Sequence, residues 1–403
     1  MIPERATELS IAQAVARLAA LTPAVQGEET VGLDAAHARV LARDLASHID
    51  LPAFDNAAMD GYALRHVDLG AVLRPIGHSY AGHGFDGAVG PGTCVRIMTG
   101  APLPAGADTV VMLEDTRPAG EMVDVVRAPL PGANIRRRAE HIAAGAVALP
   151  AGTWLDDAAV GLAASVGVDR VPVLRRLRVA LLSTGDELAD PPQPLTAAGA
   201  YDANRPFLQA GCARLGFDTL DLGICPDRGD AFATAVQRAL DDARDVLLIS
   251  GGAAQGDADV VRQAGGVQFL PLDIRPGRGI AHALLQHDGR RLLLLGLPGN
   301  AVAAFVMFHL VARPVLLGLA GACHARPLPR LQAPLAHEVR LRGGRIDYRR
   351  GRLDDEGRVT LLKDQGSAML RTVIDADCLV AVGPGEHHAA GARVPVVPLK
   401  LLL

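Results

Sequence analysis

Arg178-Val179-Ala180-Leu181-Leu182-Ser183-Thr184-Gly185-Asp186-Glu187-Leu188 is the stretch that decides the fold. An unbroken apolar run that stops at small polar residues and a glycine reads as a strand buried on both faces, its carboxyl end free to meet a ligand. The same layout recurs twice. Asp245–Ser250 runs into Gly251-Gly252 and then Gly256-Asp257-Ala258-Asp259, and Arg291–Leu295 runs into Gly296-Leu297-Pro298-Gly299-Asn300. Helical patterns at Asn204–Leu215, Asp230–Asp242 and Asn300–Leu317 alternate with these strands, and Phe217–Gly223 reads as a further strand. Ala281–Leu285 and Arg291–Leu295 flank His287-Asp288-Gly289, a hairpin signal. Residues 177–325 therefore read as a mostly parallel, three-layer α/β domain with helices on both faces of the sheet.

The flanking segments have a different texture. Residues 7–46 read as helical, with one helix opening at Ser10-Ile11-Ala12-Gln13 and a second near Asp34, and helix returns at 156–169. Between them, 51–138 is rich in Gly, Pro and Val, with short apolar runs at Cys94–Met98, Thr109–Leu113 and Met122–Arg127. That pattern predicts a β-rich domain (51–138) inserted into a helical linking domain (1–50 with 139–176). After the Pro-studded stretch Arg326–Pro334, short strands with Gly turns predict a small C-terminal β-barrel-like domain (326–403). The expected fold class is thus multidomain α/β.

Composition narrows the chemistry. The 403 residues are 49% hydrophobic and 21% charged, which suits a globular protein and not a disordered one. The formal charge of −4 argues against a dedicated nucleic-acid binder. Only Lys363 and Lys400 are lysines among 40 basic residues, so an anion site here would be built from Arg and backbone N–H groups. The five cysteines (Cys94, Cys212, Cys225, Cys323, Cys378) are scattered without a C-x-x-C pair, and read as small apolar residues in a reducing compartment. The longest apolar stretch, Leu292 to Ala320, is broken by Leu297-Pro298-Gly299-Asn300. It reads as a strand, a tight loop and a core helix, not a membrane span. The N-terminus has no signal-peptide layout, so a cytoplasmic location is expected.

Ligands of an open α/β sheet bind beyond the carboxyl ends of its strands. The glycines there let backbone N–H groups approach an anion, and a helix N-terminus adds to them. Carboxylates at the same rim (Asp186, Glu187, Asp257, Asp259 and Asp227) would repel a bare phosphate, but fit with it if a divalent cation bridges the two. Taken singly, Asp257 reads equally as a helix cap and Asp186 as a turn residue. Arg275-Pro276-Gly277-Arg278 places two cations around a turn, either as surface charge or as a phosphate clamp. No Walker A or G-x-S-x-G sequence is present, nor a G-x-G-x-x-G dinucleotide fingerprint at a strand-to-helix turn, which disfavours an ordinary NTPase, a Rossmann dehydrogenase or Ser-His-Asp catalysis. Two segments of the inserted domain read as binding loops: Pro52-Ala53-Phe54-Asp55-Asn56-Ala57-Ala58-Met59-Asp60-Gly61-Tyr62-Ala63 and Ile97-Met98-Thr99-Gly100-Ala101-Pro102-Leu103-Pro104.

Together, PAFDNAAMDGYA (52–63), RIMTGAPLPAGADTVV (96–111), STGDEL (183–188), YDANR (201–205), SGG with GDAD (250–259), GLPGN (296–300) and GRIDYRRG (344–351) make the chain resemble the molybdopterin molybdenumtransferase family, which includes bacterial MoeA and the gephyrin E domain. The resemblance runs nearly end to end and implies a four-part subunit in a homodimer, its active cleft between subunits. It implies insertion of molybdate into adenylylated molybdopterin with release of AMP, assisted by Mg²⁺, and partnership with a molybdopterin adenylyltransferase and with molybdoenzyme-maturation proteins. By the same resemblance Glu187, Asp227, Asp259 and Asp60 are the catalytic carboxylates, with Glu187 and Asp259 on the metal. Thr99, Gly100, Thr184, Gly185, Ser250, Gly251, Gly252, Arg275, Arg278, Pro298, Gly299, Asn300 and Arg350 bind substrate. Asp60 and Thr99 would reach the neighbouring subunit's cleft, and Arg350 would help hold the oxyanion.

This sequence departs from the family pattern at the cleft. SGGVSVG becomes SGGAAQG (250–256), Lys-Pro-Gly-Lys becomes Arg275-Pro276-Gly277-Arg278, PGKPxxFG becomes PGRGIAHA (276–283), and LPGNPVS becomes LPGNAVA (297–303). Ser367-Ala368-Met369-Leu370-Arg371-Thr372 lacks one typical serine. These departures keep in view a pterin-binding paralogue without turnover. A pterin adenylyltransferase, which shares the central domain, is a third reading, weakened by the extra β modules that the small adenylyltransferases lack.

Overall fold

The computed structural model describes residues 8–251, 261, 266–323, 329–340, 344–383 and 387–399. Helix α1 (Ile11–Ala19) begins at a reciprocal cap: the Gln13 N–H donates to Ser10 Oγ, and the Ser10 N–H donates to Gln13 Oε1. Its apolar stripe, Ala14 and Leu18, is buried in the core of the α/β domain, in one cluster with Val179 and Leu316. The second helix expected near Asp34 does not form. Only one 3₁₀ turn, Leu33–Ala35, is present, because the preceding Glu28–Gly32 is a strand paired antiparallel with Arg170–Leu174. Tertiary pairing outweighs the helical spacing there. Helix α2 (Asp157–Ser165) forms as expected, capped by the Asp156 carboxylate on the Ala159 N–H at 2.8 Å.

The inserted region carries a four-stranded sheet of β1 (Gly61–Leu64), β2 (Arg74–Ser79), β3 (Thr93–Ile97) and β4 (Thr109–Met112), in the order β2-β3-β1-β4.

The α/β domain holds a six-stranded sheet of β5 (Arg178–Thr184), β6 (Asp218–Cys225), β7 (Val246–Ser250), β8 (Gln268–Pro271), β10 (Gly279–His287) and β11 (Arg290–Leu297). Strand β9 (Ile274–Arg275) lies between β8 and β10 in sequence and leaves this sheet. The order is β6-β5-β7-β11-β10-β8, with parallel pairing from β6 through β11 and antiparallel pairing beyond. Every residue of β7 is buried, as a central strand covered on both faces requires. The β10–β11 hairpin turns at Asp288 and Gly289 with φ of 47° and 76°, the two left-handed positions of a tight turn. Helices α3 (Asn204–Arg214), α4 (Gly229–Asp241) and α5 (Ala301–Leu319) pack on this sheet. Helix α5 contains a π turn at Phe308–Ala312. It is long and apolar enough to cross a membrane, but most of it is buried inside the protein.

The C-terminal strands β12 (Leu331–Pro334), β13 (Ile346–Leu353), β14 (Val359–Leu361), β15 (Cys378–Val382) and β16 (Arg393–Pro398) form one sheet in the order β9-β13-β15-β16-β12, with β14 on β13. Strand β9 runs parallel to β13, pairing Arg275 with Asp347. The Arg275-Pro276-Gly277-Arg278 turn therefore leaves the C-terminal sheet on one side and enters the central sheet on the other.

Candidate functional site

Strands β5, β7 and β11 are adjacent and parallel, so the loops at Thr184, Ser250 and Leu297 leave the sheet on one edge. The three are in direct contact. The Gly251 N–H donates to the Leu297 carbonyl at 3.1 Å. A methyl group placed on Gly251, where φ is +89°, would stand 2.5 Å from Thr184 Oγ1 and 2.8 Å from the Thr184 carbonyl. One placed on Gly299 would meet the Gly251 Cα at 3.8 Å. Only glycine at 251 permits this approach, since both the backbone region and the space forbid a side chain. Thr184 and Ser250 are buried, at 8% and 3% exposure, so their hydroxyls belong to the rim's inner wall.

Strand β6, on the other side of β5, brings a fourth loop alongside. The Gly185 N–H donates to the Cys225 carbonyl at 3.2 Å, and the Asp227 N–H donates to Asp186 Oδ1 at 3.0 Å. Asp186, Glu187 and Asp227 are all exposed, and together they make this end of the rim acidic. The Asp227 carboxyl is raised above its ordinary value, first by desolvation and then by the negative charges of Asp186 and Glu187, against the lowering effect of the Asp186 contact. Among the described residues no three His, Cys, Asp or Glu side chains converge as a metal cage. Oxygen ligands on neighbouring loops, one or two per ion, nonetheless suit Mg²⁺, which keeps most of its water. Asp257, Asp259 and Gly252, expected at the same rim, lie outside the described residues.

Arg275 and Arg278 are exposed. A methyl group on Gly277 between them would stand 3.0 Å from Met307 Cγ and 3.8 Å from Pro298 Cγ, so their turn sits against the third loop and against α5. The turn that carries the two sequence-predicted cations and the Pro298-Gly299-Asn300 loop are thereby neighbours.

Arg350 is placed differently from expectation. It is 1% exposed, with Nε donating to Thr372 Oγ1 at 3.0 Å and Nη2 to the carbonyls of Gly366 at 3.0 Å and Asp364 at 3.3 Å. Burial draws its pKa down. Its Nε and Nη2 donors are directed at its own domain. What it holds is the 364–369 segment, whose Ser367 carbonyl accepts the Val302 N–H at 2.9 Å in the first turn of α5.

Asp60 and Thr99 form a separate pair. The Thr99 N–H and hydroxyl both donate to Asp60 Oδ1, each at 2.7 Å, and these bonds hold the Asp60 carboxyl below its ordinary value, with Arg96 adding a smaller attraction. The Gly100 N–H donates to the Ala57 carbonyl at 2.8 Å, tying the two predicted binding loops together. Both side chains of the pair are exposed. Among the described residues no hydrogen bond or ion pair links them to the α/β rim.

One residue with a large part in this geometry escaped the sequence reading. Asn204, the first residue of α3, donates from Nδ2 to Ser250 Oγ at 2.7 Å and to the Gly299 carbonyl at 2.6 Å. It thereby joins the second loop to the third. The signal was the Tyr201-Asp202-Ala203-Asn204-Arg205 motif, where a capping residue, an amide and a cation follow at the start of a helix.

An open α/β sheet with its ligand loops at the carboxyl edge, acidic on one side and glycine-lined on the other, defines a molybdopterin-binding type of domain. Residues 180–318 match the family described as "Probable molybdopterin binding domain", with "MoeA N-terminal region (domain I and II)" matching 9–167 and "MoeA C-terminal region (domain IV)" matching 332–399. The chain is 33% identical to the molybdopterin molybdenumtransferase of Haemophilus influenzae over 98% of its own length and all of that protein's. It is 35% identical to that of Synechococcus elongatus over 89% and 91% of the two chains. Among solved structures, a molybdopterin biosynthesis MoeA protein from Pyrococcus horikoshii superposes with a TM-score of 0.76 at 24% identity, covering 97% of this chain and all of the other. The chain belongs to the molybdopterin molybdenumtransferase (MoeA) family.

Proposed function

We propose that this chain inserts molybdenum from molybdate into adenylylated molybdopterin and releases AMP, in the cleft above β6, β5, β7 and β11. The observation that carries this reading is the contact of three glycine-turned loops at adjacent strand ends, with exposed carboxylates on one flank and the Arg275–Arg278 turn on the other. A substrate with phosphate groups and an incoming oxyanion needs donors and cations on one side and a metal-binding edge on the other. The rim supplies both. Thr184 and Ser250 hydroxyls and the N–H groups of the Gly299-Asn300 turn would bind phosphate oxygens, while Arg275 and Arg278 offset their charge.

Glu187 and Asp227 are the described residues that would hold Mg²⁺. When bound, the ion neutralises charge that builds up as the phosphoanhydride is cleaved. A nearby cation would offset the desolvation, and then the acidic neighbours, that raise Asp227. The family pattern supports a homodimer in which Asp60 and Thr99 of one subunit complete the cleft of the other. Their exposure in the single chain suits that role. A molybdopterin adenylyltransferase would supply the substrate, and a cytoplasmic location fits the pathway.

The test is AMP release from adenylylated molybdopterin with Mg²⁺ present as molybdate is titrated. Release that rises with molybdate supports the transferase reading. Tight pterin binding without release would assign the chain to the non-catalytic paralogue class, and incorporation of ATP into the pterin to the adenylyltransferase class.

A further inference from the structure

The Asn204 amide has only one orientation open to it. The Gly299 carbonyl is an acceptor, so the group 2.6 Å from it must be the Nδ2 amine, whose other proton goes to Ser250 Oγ. Both N–H groups are thereby used, while Oδ1 is buried and, among the described residues, without a partner, in a side chain that is 7% exposed. The anchor beneath is rigid. Asp202 Oδ1 accepts the backbone N–H of Asn204 at 3.0 Å and of Arg205 at 3.2 Å. Arg205, itself buried, binds Asp202 Oδ2 at 3.1 Å and is ion-paired to Asp190 and Asp221.

Two consequences follow for the loops. Because Ser250 Oγ receives a proton from Asn204, its own hydroxyl proton is left to donate elsewhere. Because the Gly299 carbonyl is drawn toward Asn204, the trans Gly299–Asn300 peptide turns its N–H to the opposite side. Among the described residues the N–H groups of Asn300 and Ala301 donate to nothing. Had the carbonyl faced the rim, the loop would present a negative dipole end to an anion.

We propose that Asn204 is the positioning residue that makes this rim a donor surface: it ties the Gly299 carbonyl back and orients the Ser250 hydroxyl, leaving Ser250 O–H and Asn300 N–H for phosphate oxygens of the pterin substrate. The ligand class rests on the transferase reading above. The Gly299 carbonyl keeps the amide committed, since turning it over would set one acceptor against another.

The experiment is a double-mutant cycle on the full chain, with Asn204→Ala, Ser250→Ala and the double variant, plus Asn204→Asp. Binding is read with adenylylated molybdopterin and with its dephosphorylated pterin, beside KM and kcat for AMP release and a thermal melt. Asn204→Asp cannot donate to the Gly299 carbonyl and takes the Ser250 proton for itself. It should weaken adenylylated molybdopterin at least about tenfold, leave the dephosphorylated pterin within about twofold, and raise KM more than it lowers kcat. The Ala variants should be less than additive, because Asn204 acts partly through Ser250. If Asn204→Asp fails to fold, the Ala cycle decides alone. Full additivity, or equal losses for both ligands, overturns the proposal. A wild-type chain that binds the pterin and shows the coupling but releases no AMP overturns the transferase reading and leaves the role of Asn204 standing.

Discussion

The α/β rim and the Asp60–Thr99 pair of the inserted sheet hold their polar groups in opposite ways. At the rim, Thr184, Ser250 and Asn204 are buried, and the Asn204 amide binds across two separate loops, above strands packed in apolar core. At the inserted sheet, Asp60 and Thr99 are bound to each other and stand in solvent. The rim is organised before any ligand arrives, whereas the exposed pair keeps an open flank. A cleft made from both would be half preformed and half completed by assembly.

The largest effect that would test this contrast is on chemistry. Glu187→Ala should lower molybdate-dependent AMP release by at least about a hundredfold, while its melting temperature changes little because the side chain is exposed. Activity near wild type would remove the acidic flank from the mechanism.

The next effect is on stability. Gly251→Ala forces a side chain into a left-handed backbone region and against Thr184, at a cost of about 1–3 kcal/mol read from denaturant unfolding. Thr99→Val removes an exposed hydroxyl and should change stability by no more than about 0.5 kcal/mol. Similar losses at both positions would erase the distinction between a packed rim and an open pair.

The smallest effect is electrostatic and has opposite signs in the two regions. Asp60, held down chiefly by the Thr99 N–H, should titrate below an ordinary Asp in NMR, and Asp227, raised chiefly by desolvation, above it. Glu187→Gln should move Asp227 down and leave Asp60 unchanged. The sign of the stability linkage differs accordingly. The Asp60 bonds contribute fully above its unfolded pKa and are lost as pH falls through the lower folded value. Asp227 is an unfavourable charge at neutral pH, and protonation relieves it as pH falls through its raised folded value.

The rim was legible in the sequence because buried parallel strands leave unbroken apolar runs, and their ends show as Ser-Thr-Gly, Ser-Gly-Gly and Leu-Pro-Gly-Asn. The hairpin at Asp288-Gly289 and helices α3, α4 and α5 were legible for similar local reasons. The extra helix near Asp34 was not excluded by sequence, since pairing of Glu28–Gly32 with the distant Arg170–Leu174 leaves no local trace. Arg350 reads as a ligand-facing cation until the 364–369 carbonyls and Thr372 are seen closing over it. Asn204 went unread for the converse reason: a helix-start amide looks like a cap, and only the fold sets Ser250 and Gly299 against it.

The most direct test of a cleft shared between a rim and a neighbour's inserted sheet is complementation. Asp60→Asn and Glu187→Ala, each inactive alone, would be mixed under conditions that exchange subunits, and molybdate-dependent AMP release measured. Recovery of activity in the mixture is the predicted result, because one mixed dimer cleft carries both intact residues. No recovery, with mixed dimers demonstrably formed, would place Asp60 and Glu187 in the cleft of the same chain and contradict the account.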